Sequence, residues 1–374
     1  MDFEEATHEH GMQGIWAITR HDDITAVSRD AKTFCSGLGT NIIDQTVEEA
    51  RKEGWLLNMD APEHFQMRKI VSSNFAPRNV ELLKNMAQHH AARLVDAVAD
   101  SGSESCDFFQ DIASPYPVSI IQDFLGSDPA DGPYLQKLTV TALAGDASEL
   151  GGIEAANAAF DELNEYGKQL AKDRRAKPQD DIVSKIIAAE VEGRKLSDEE
   201  VGYFFQVLVT AGIETTGTVL TRAIEALIRN PSQMQFLRVN FDEAIKPAVE
   251  ELARWASPLM YFRRTATCDT EIRGQGIRKG DKVVMWYASG NFDERVFHEP
   301  HTLDLTRSPN PHMAFGGGGK HTCLGAHLAR MDMPILLKAL FDRFVNIELD
   351  GEPKNAPSRL VNAITSLPIR FDVR

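Results

Sequence analysis

The chain has 374 residues, 43% hydrophobic and 25% charged, enough for two average domains or for one large domain around an enclosed site. Its net charge of −15 excludes the basic stripe of a nucleic-acid binder. Four scattered cysteines (Cys35, Cys106, Cys268, Cys323) without CxxC spacing exclude a disulfide framework and a zinc ribbon.

The acidic N-terminus, "MDFEEATHEH", lacks an apolar core, so no signal peptide or membrane anchor is expected, and a reducing cytoplasm is the expected setting. "GIWAITR" is the first strand signal. "LLNMDAPEHFQMRKI" then starts a helix at Asp60, with Pro62 in its first turn and His64 and Arg68 four apart on one face. Residues 80–100 carry apolar positions at helical spacing.

Ser197 and Glu200 form a capping-box start, and Asn230-Pro231 a stop, for a helix from Asp198 to about Arg229, roughly 45 Å long. Its stretch 201–220 is the most apolar window, yet Gln206, Glu214 and several threonines make it a buried helix and not a membrane span. An unpaired carboxylate at Glu214 is expensive in such a run. Ala211-Gly212 removes bulk and leaves room for a ligand, and Thr215 can bond back to the helix or to a bound oxygen.

"AIKPAVEELARWA" is helical by period and sets Glu251 three residues from Arg254, the spacing of an ion pair on one face. Strand-like "TEIRG", "KVVMWYAS" and "NAITSLPIRFDV" follow. The expectation is a mostly α fold with a small β part, in one domain spanning 1–374.

Between the late strands lies "HMAFGGGGKHTCLGAHLARM", residues 312–331, with a helix expected from Cys323. A phosphate loop needs GxxxxGK[ST], but here His321 follows Lys320. A nucleophilic cysteine beside His321 is a second reading, and an inert buried cysteine a third. A haem-thiolate site explains more: glycines let the backbone lie against a porphyrin, helix dipoles stabilise the thiolate, and His321 reaches a haem carboxylate.

The loop resembles the F-G-x-G-x-H-x-C-x-G signature of the cytochrome P-450 superfamily, filled by Phe315, Gly316, His321, Cys323 and Gly325, with one extra glycine before the cysteine. The resemblance implies the family's triangular fold, with haem b buried between the long helix and the helix after Cys323. Cys323 is then the axial iron ligand, and Phe315, Gly317 and Gly325 belong to the haem-binding loop. His64 and Arg68 match the propionate-binding H-x-x-x-R, joined by Arg264, with Arg263 as the fallback, and by His321.

"AGIETTG" resembles A-G-x-[D/E]-T, which implies that Glu214 relays protons and that Thr215 is the alcohol beside the activated oxygen, with Ala211 and Gly212 against the cofactor. Glu251 and Arg254 match E-x-x-R, a buried structural pair. Phe292 stands where an Arg is commoner. Family chains usually have a further strand and helix before "GIWAITRHDDI", which are expected to be missing here.

The implied activity is monooxygenation of an apolar steroid, terpenoid or fatty-chain substrate, contacted by Leu38, Ile42, Val207, Leu259, Met260, Ile364 and Thr365. Ferredoxin and ferredoxin reductase are the implied electron donors, docking at Lys69, Arg78, Lys320 and Arg330. A peroxide-using peroxygenase and a haem-binding sensor are the rival readings; neither needs the Glu214-Thr215 pair.

Overall fold

The computed structural model describes residues 14–44, 46–145 and 148–374. Its centre is the helix Asp198–Arg229, which starts on the expected capping box: Ser197 accepts from the Glu200 amide and Glu200 from the Ser197 amide. That reciprocal pair satisfies two amides a helix start otherwise leaves open. Most of this helix is buried, because Gly152–Ala176, Pro115–Leu125, Gly132–Ala144 and Phe241–Ala256 pack around it.

The β part is small, as expected. A four-stranded sheet runs in the order Ile15–Ile18, Lys282–Trp286, Tyr261–Ala266, Phe34–Cys35. Its first pair is parallel and the others antiparallel. The helix His21–Arg29 covers it through Ile24 and Val27, making a second small core with Phe34, Val283 and Met285. The closing strand Pro368–Val373 lies between Phe344–Leu349 and Ser105–Asp107.

Two boundaries differ from the sequence pattern. The stretch 80–100 is two helices, Pro77–Glu81 and Lys84–Ala99. The last helix begins at Ala326, not Cys323; residues 323–325 form the turn that leads into it. Among the described residues no helix is long and apolar enough to cross a membrane.

Within Ala326–Arg343, Asp332 is buried, and one of its carboxylate oxygens has no partner among the described residues. Burial pushes its pKa well above the usual carboxylate range. A carboxyl that takes up a proton on folding weakens the fold as pH rises above its unfolded pKa of about 4. Asp332→Asn is therefore expected to melt higher than the native protein at pH 8, with the gain shrinking toward pH 4.5. Melting curves at the two values check this; an equal offset at both would contradict it.

Candidate active site

The glycine loop is held from outside by the His21–Arg29 helix. A Cβ at Gly319 would lie 2.6 Å from the Ser28 carbonyl oxygen, and the residue's φ is +82°. A Cβ at Gly317 would lie 2.9 Å from Ser28 Cβ. Only glycine fits such approaches. The Ser28 hydroxyl donates to the Gly318 carbonyl at 2.8 Å. Gly317, expected to serve a porphyrin, is thus demanded by the neighbouring helix.

Cys323 closes the loop by donating its amide to the Phe315 carbonyl (3.0 Å). Its side chain is exposed in area, yet burial pushes its thiol pKa up; a hydrogen bond from the Gly325 amide and the charges of Arg68 and Arg330 pull it back. A surface that is open and still desolvated belongs to a side chain lining an enclosed space. Ala211 shows the same contrast, exposed in mid-helix between the buried Thr210 and Ile213. A Cβ at Gly325 would also meet open space.

Beside the cysteine is a cluster of cationic and imidazole groups. His64 and His321 stack with centroids 4.0 Å apart. Burial, then Arg68, lowers His64 to about 4; burial, then Arg264, lowers His321 to about 2. Arg68 donates to the Thr322 carbonyl at 2.5 Å, and Arg264, 3% exposed, to the Arg263 carbonyl. Neither forms an ion pair among the described residues. The nearby carboxylate, Asp60, already accepts from the Ser36 and Gly37 amides. Guanidinium charge taken out of water is costly unless it is paired, and this cluster can hold an anionic group. Arg263 points elsewhere, donating to the Gly39 and Leu38 carbonyls and pairing with Asp44 at 3.6 Å, which rules out the fallback.

On the central helix Glu214 is 6% exposed, and burial pushes its carboxyl up to about 7. Thr215 Oγ1 donates to the Ala211 carbonyl at 2.5 Å. Gly212 departs from expectation. A Cβ there would lie 2.5 Å from Ile121 Cδ1, so its missing side chain admits a neighbouring helix, and Ala211 alone carries the open face.

Glu251 and Arg254 are 0% exposed and joined by two 2.8 Å bonds. Arg254 also donates to the Asn291 and Pro300 carbonyls. Glu251 also accepts from Arg307, Asn310 and the Asp304 amide. Arg307 was invisible in the sequence, since nothing in "LTRSPN" marks a residue that reaches back 56 positions. Phe292, in the place of the commoner Arg, lies under Arg254 at 5.1 Å.

The adjacent Glu250 grips the loop. It accepts two bonds from Arg330 (2.6 and 2.8 Å) and one from His312; burial works against its ionisation, but these bonds hold it down to about 2. Arg330 also lies 4.2 Å over the Phe315 ring. It is therefore engaged within the fold, which corrects its reading as a docking charge. Lys69, Arg78 and Lys320 are exposed.

A cavity of ≈180 Å³ lies along the central helix, one turn before Ala211. Ile42 and Val207 line it as expected. The other expected contacts do not. Leu38 is 46% exposed, Leu259 and Met260 pair with Val361 and Leu360, Ile364 is core, and Thr365 bonds the Lys354 carbonyl. Leu143, Phe160, Ser358 and Leu360 take their place; these carry no motif, and only the chain's folding collects them. A larger cleft of ≈510 Å³ between Gly126 and Arg174 includes none of the residues above.

This geometry, a desolvated thiol beside a cationic cluster and a mid-helix acid–alcohol pair, has a counterpart among known proteins. The cytochrome P450 family model matches residues 152–372. The chain is 38% identical over 360 residues to the methyl-branched lipid omega-hydroxylase of Mycobacterium tuberculosis, covering 96% of this chain and 84% of the relative. It is 37% identical over 369 residues to the steroid C26-monooxygenase of Mycolicibacterium smegmatis, covering 97% and 85%. A cytochrome P450 of Mycobacterium marinum, solved in complex with pseudoionone, superposes with a TM-score of 0.92 at 39% identity, covering 98% of this chain and 89% of that one.

The chain belongs to the cytochrome P450 family. It is a cytochrome P450 monooxygenase, a family that carries a haem-thiolate cofactor.

Proposed function

We propose that this one-domain, cytoplasmic enzyme holds haem b through Cys323 and hydroxylates an apolar substrate of the steroid, terpenoid or branched fatty-chain kind. The observation that carries the reading is the thiol facing enclosed space beside half-buried Arg68 and buried Arg264, neither of which forms an ion pair among the described residues. Two haem propionates supply that charge. His64 and His321, held neutral by burial, offer ring nitrogens to the same carboxylates.

Bound there, haem activates dioxygen and delivers one oxygen atom to a C–H bond. The residues do the rest. The Gly325 amide steadies the charged sulfur. Glu214, with its carboxyl near neutrality, both holds and releases a proton at physiological pH. Thr215, its proton committed to the Ala211 carbonyl, presents lone pairs to whatever donates in the open space. This acid–alcohol pair favours dioxygen over peroxide as oxidant. A ferredoxin and its reductase provide electrons, meeting exposed Lys69, Arg78 and Lys320 on the cysteine side.

The test is the ferrous-carbonyl difference spectrum of the native protein beside Cys323→Ala. A strongly red-shifted Soret band lost on substitution is the expected result. A band that survives, or one of histidine-ligated type in the native protein, would overturn the reading.

A further inference from the structure

The ≈180 Å³ cavity has an apolar wall that includes Ile42, Leu143, Phe160 and Val207. In such a site a few polar groups decide which molecule fits, so the donors that are still uncommitted matter most. Most of those in the lining are spent inside the fold. Thr40 donates to Asn58 Oδ1 at 2.8 Å, and Asn58 donates to the Ala50 carbonyl. Thr210 bonds back to the Gln206 carbonyl of its own helix, and Ser358 bonds the Leu143 carbonyl. The Tyr261 hydroxyl donates to Asn41 Oδ1 at 3.0 Å.

Asn41 is the exception. Its Oδ1 also accepts from the Ile43 amide at 3.4 Å, an Asx turn within its own loop. A backbone amide can only donate, so this contact fixes which end of the side chain is oxygen, and the Tyr261 hydroxyl holds the same end. The other end is an NH2 group that donates to nothing among the described residues. It is not sealed off as Ser127 Oγ and Thr218 Oγ1 are, so it opens on accessible space, and Asn41 lines this cavity. Two donors are thus offered beside an apolar wall by a side chain that two bonds keep from turning.

We infer that the substrate carries a neutral oxygen acceptor, a ketone or ester carbonyl, on its apolar body, and that Asn41 is a specificity-determining residue that donates to it. The inference rests on the proposed substrate class and narrows it. A neutral amide donor among apolar side chains suits a neutral carbonyl. A carboxylate stripped of water there would need a cation, and Arg359, the one cation among the described lining residues, already has a partner.

The probes are dodecan-2-one and 2-methyldodec-1-ene, which keeps the shape but carries CH2 in place of the carbonyl oxygen. Both are bound to the haem-loaded protein at pH 8, with binding read by the Soret shift and by equilibrium dialysis of labelled probe. Because the ketone costs more to take out of water, the quantity compared is the ketone-to-alkene ratio of affinities in each protein. Asn41→Asp keeps an oxygen for Ile43 and Tyr261 but has no donor, and it is expected to lower that ratio by about tenfold. Asn41→Leu, which removes both ends, should lower it as far. A ratio unchanged in Asn41→Asp would overturn the inference, even with a fall in Asn41→Leu, since the effect would then belong to the loop and not to the donor. The ferrous-carbonyl band recorded on the same samples separates these results from a failure of the haem-thiolate reading, and dialysis reports binding without depending on the haem signal.

Discussion

Glu251→Ala is expected to unfold the protein at far lower denaturant than the native chain needs, and to yield it largely without haem. The substitution strands Arg254, fully buried, opposite an apolar methyl. Removing one partner of a buried pair costs about 3–5 kcal/mol, because the remaining charge stays desolvated. Arg254 keeps its bonds to the Asn291 and Pro300 carbonyls, which satisfy its donors but not its charge. Arg307, 8% exposed at its side chain, loses its carboxylate in the same stroke. Arg307→Leu should therefore cost less than Glu251→Ala, since it leaves the Glu251–Arg254 pair intact. Unfolding midpoints in urea, with haem content by absorbance, check both; a Glu251→Ala protein as stable as the native one would show that the network is dispensable.

The second large effect is on turnover. Glu214→Gln is expected to cut product formation by about a hundredfold, the scale of one lost acid–base group. It should also remove the decline in native activity as pH rises through about 7, where the acid loses the proton it must donate. The same substitution should strengthen the fold. Burial raises the Glu214 carboxyl from its ordinary 4.5 to about 7, so folding binds a proton, and the cost begins above the unfolded value and is complete above the folded one. That cost is about 3 kcal/mol at pH 8 and vanishes near pH 4. A variant that is slower yet more stable at alkaline pH marks a residue kept for chemistry. Thr215→Ala should keep electron consumption while lowering product per electron. Full product yield from either variant would remove the proton-relay assignment.

What the sequence made legible was local. The capping box at Ser197 and Glu200 declared the central helix, and the three-residue step from Glu251 to Arg254 declared an ion pair. Both signals lie within one helical turn and survive any tertiary arrangement. The errors arose where the third dimension decides. Gly212 reads as space for a ligand until Ile121 of another helix fills it. Arg330 reads as a surface charge until Glu250, 80 residues away, claims it. Ile364 and Thr365 are apolar enough and near enough in sequence to the cavity, but a few positions' shift along the closing segment gives the lining to Ser358 and Leu360. The parallel pairing of Ile15–Ile18 with Lys282–Trp286 joins distant parts of the chain and left no trace in either stretch.

The contact between Ser28 and the glycine loop reaches across 290 positions. It makes the two ends of the chain trade volume with each other: whatever residue 28 gains in bulk, positions 317 and 319 must give up, and neither holds anything left to give. A descendant that shortens the loop by one glycine is released from that constraint and free to enlarge residue 28, while one that keeps the longer loop is bound to a small residue there. The two sites should therefore change together or not at all.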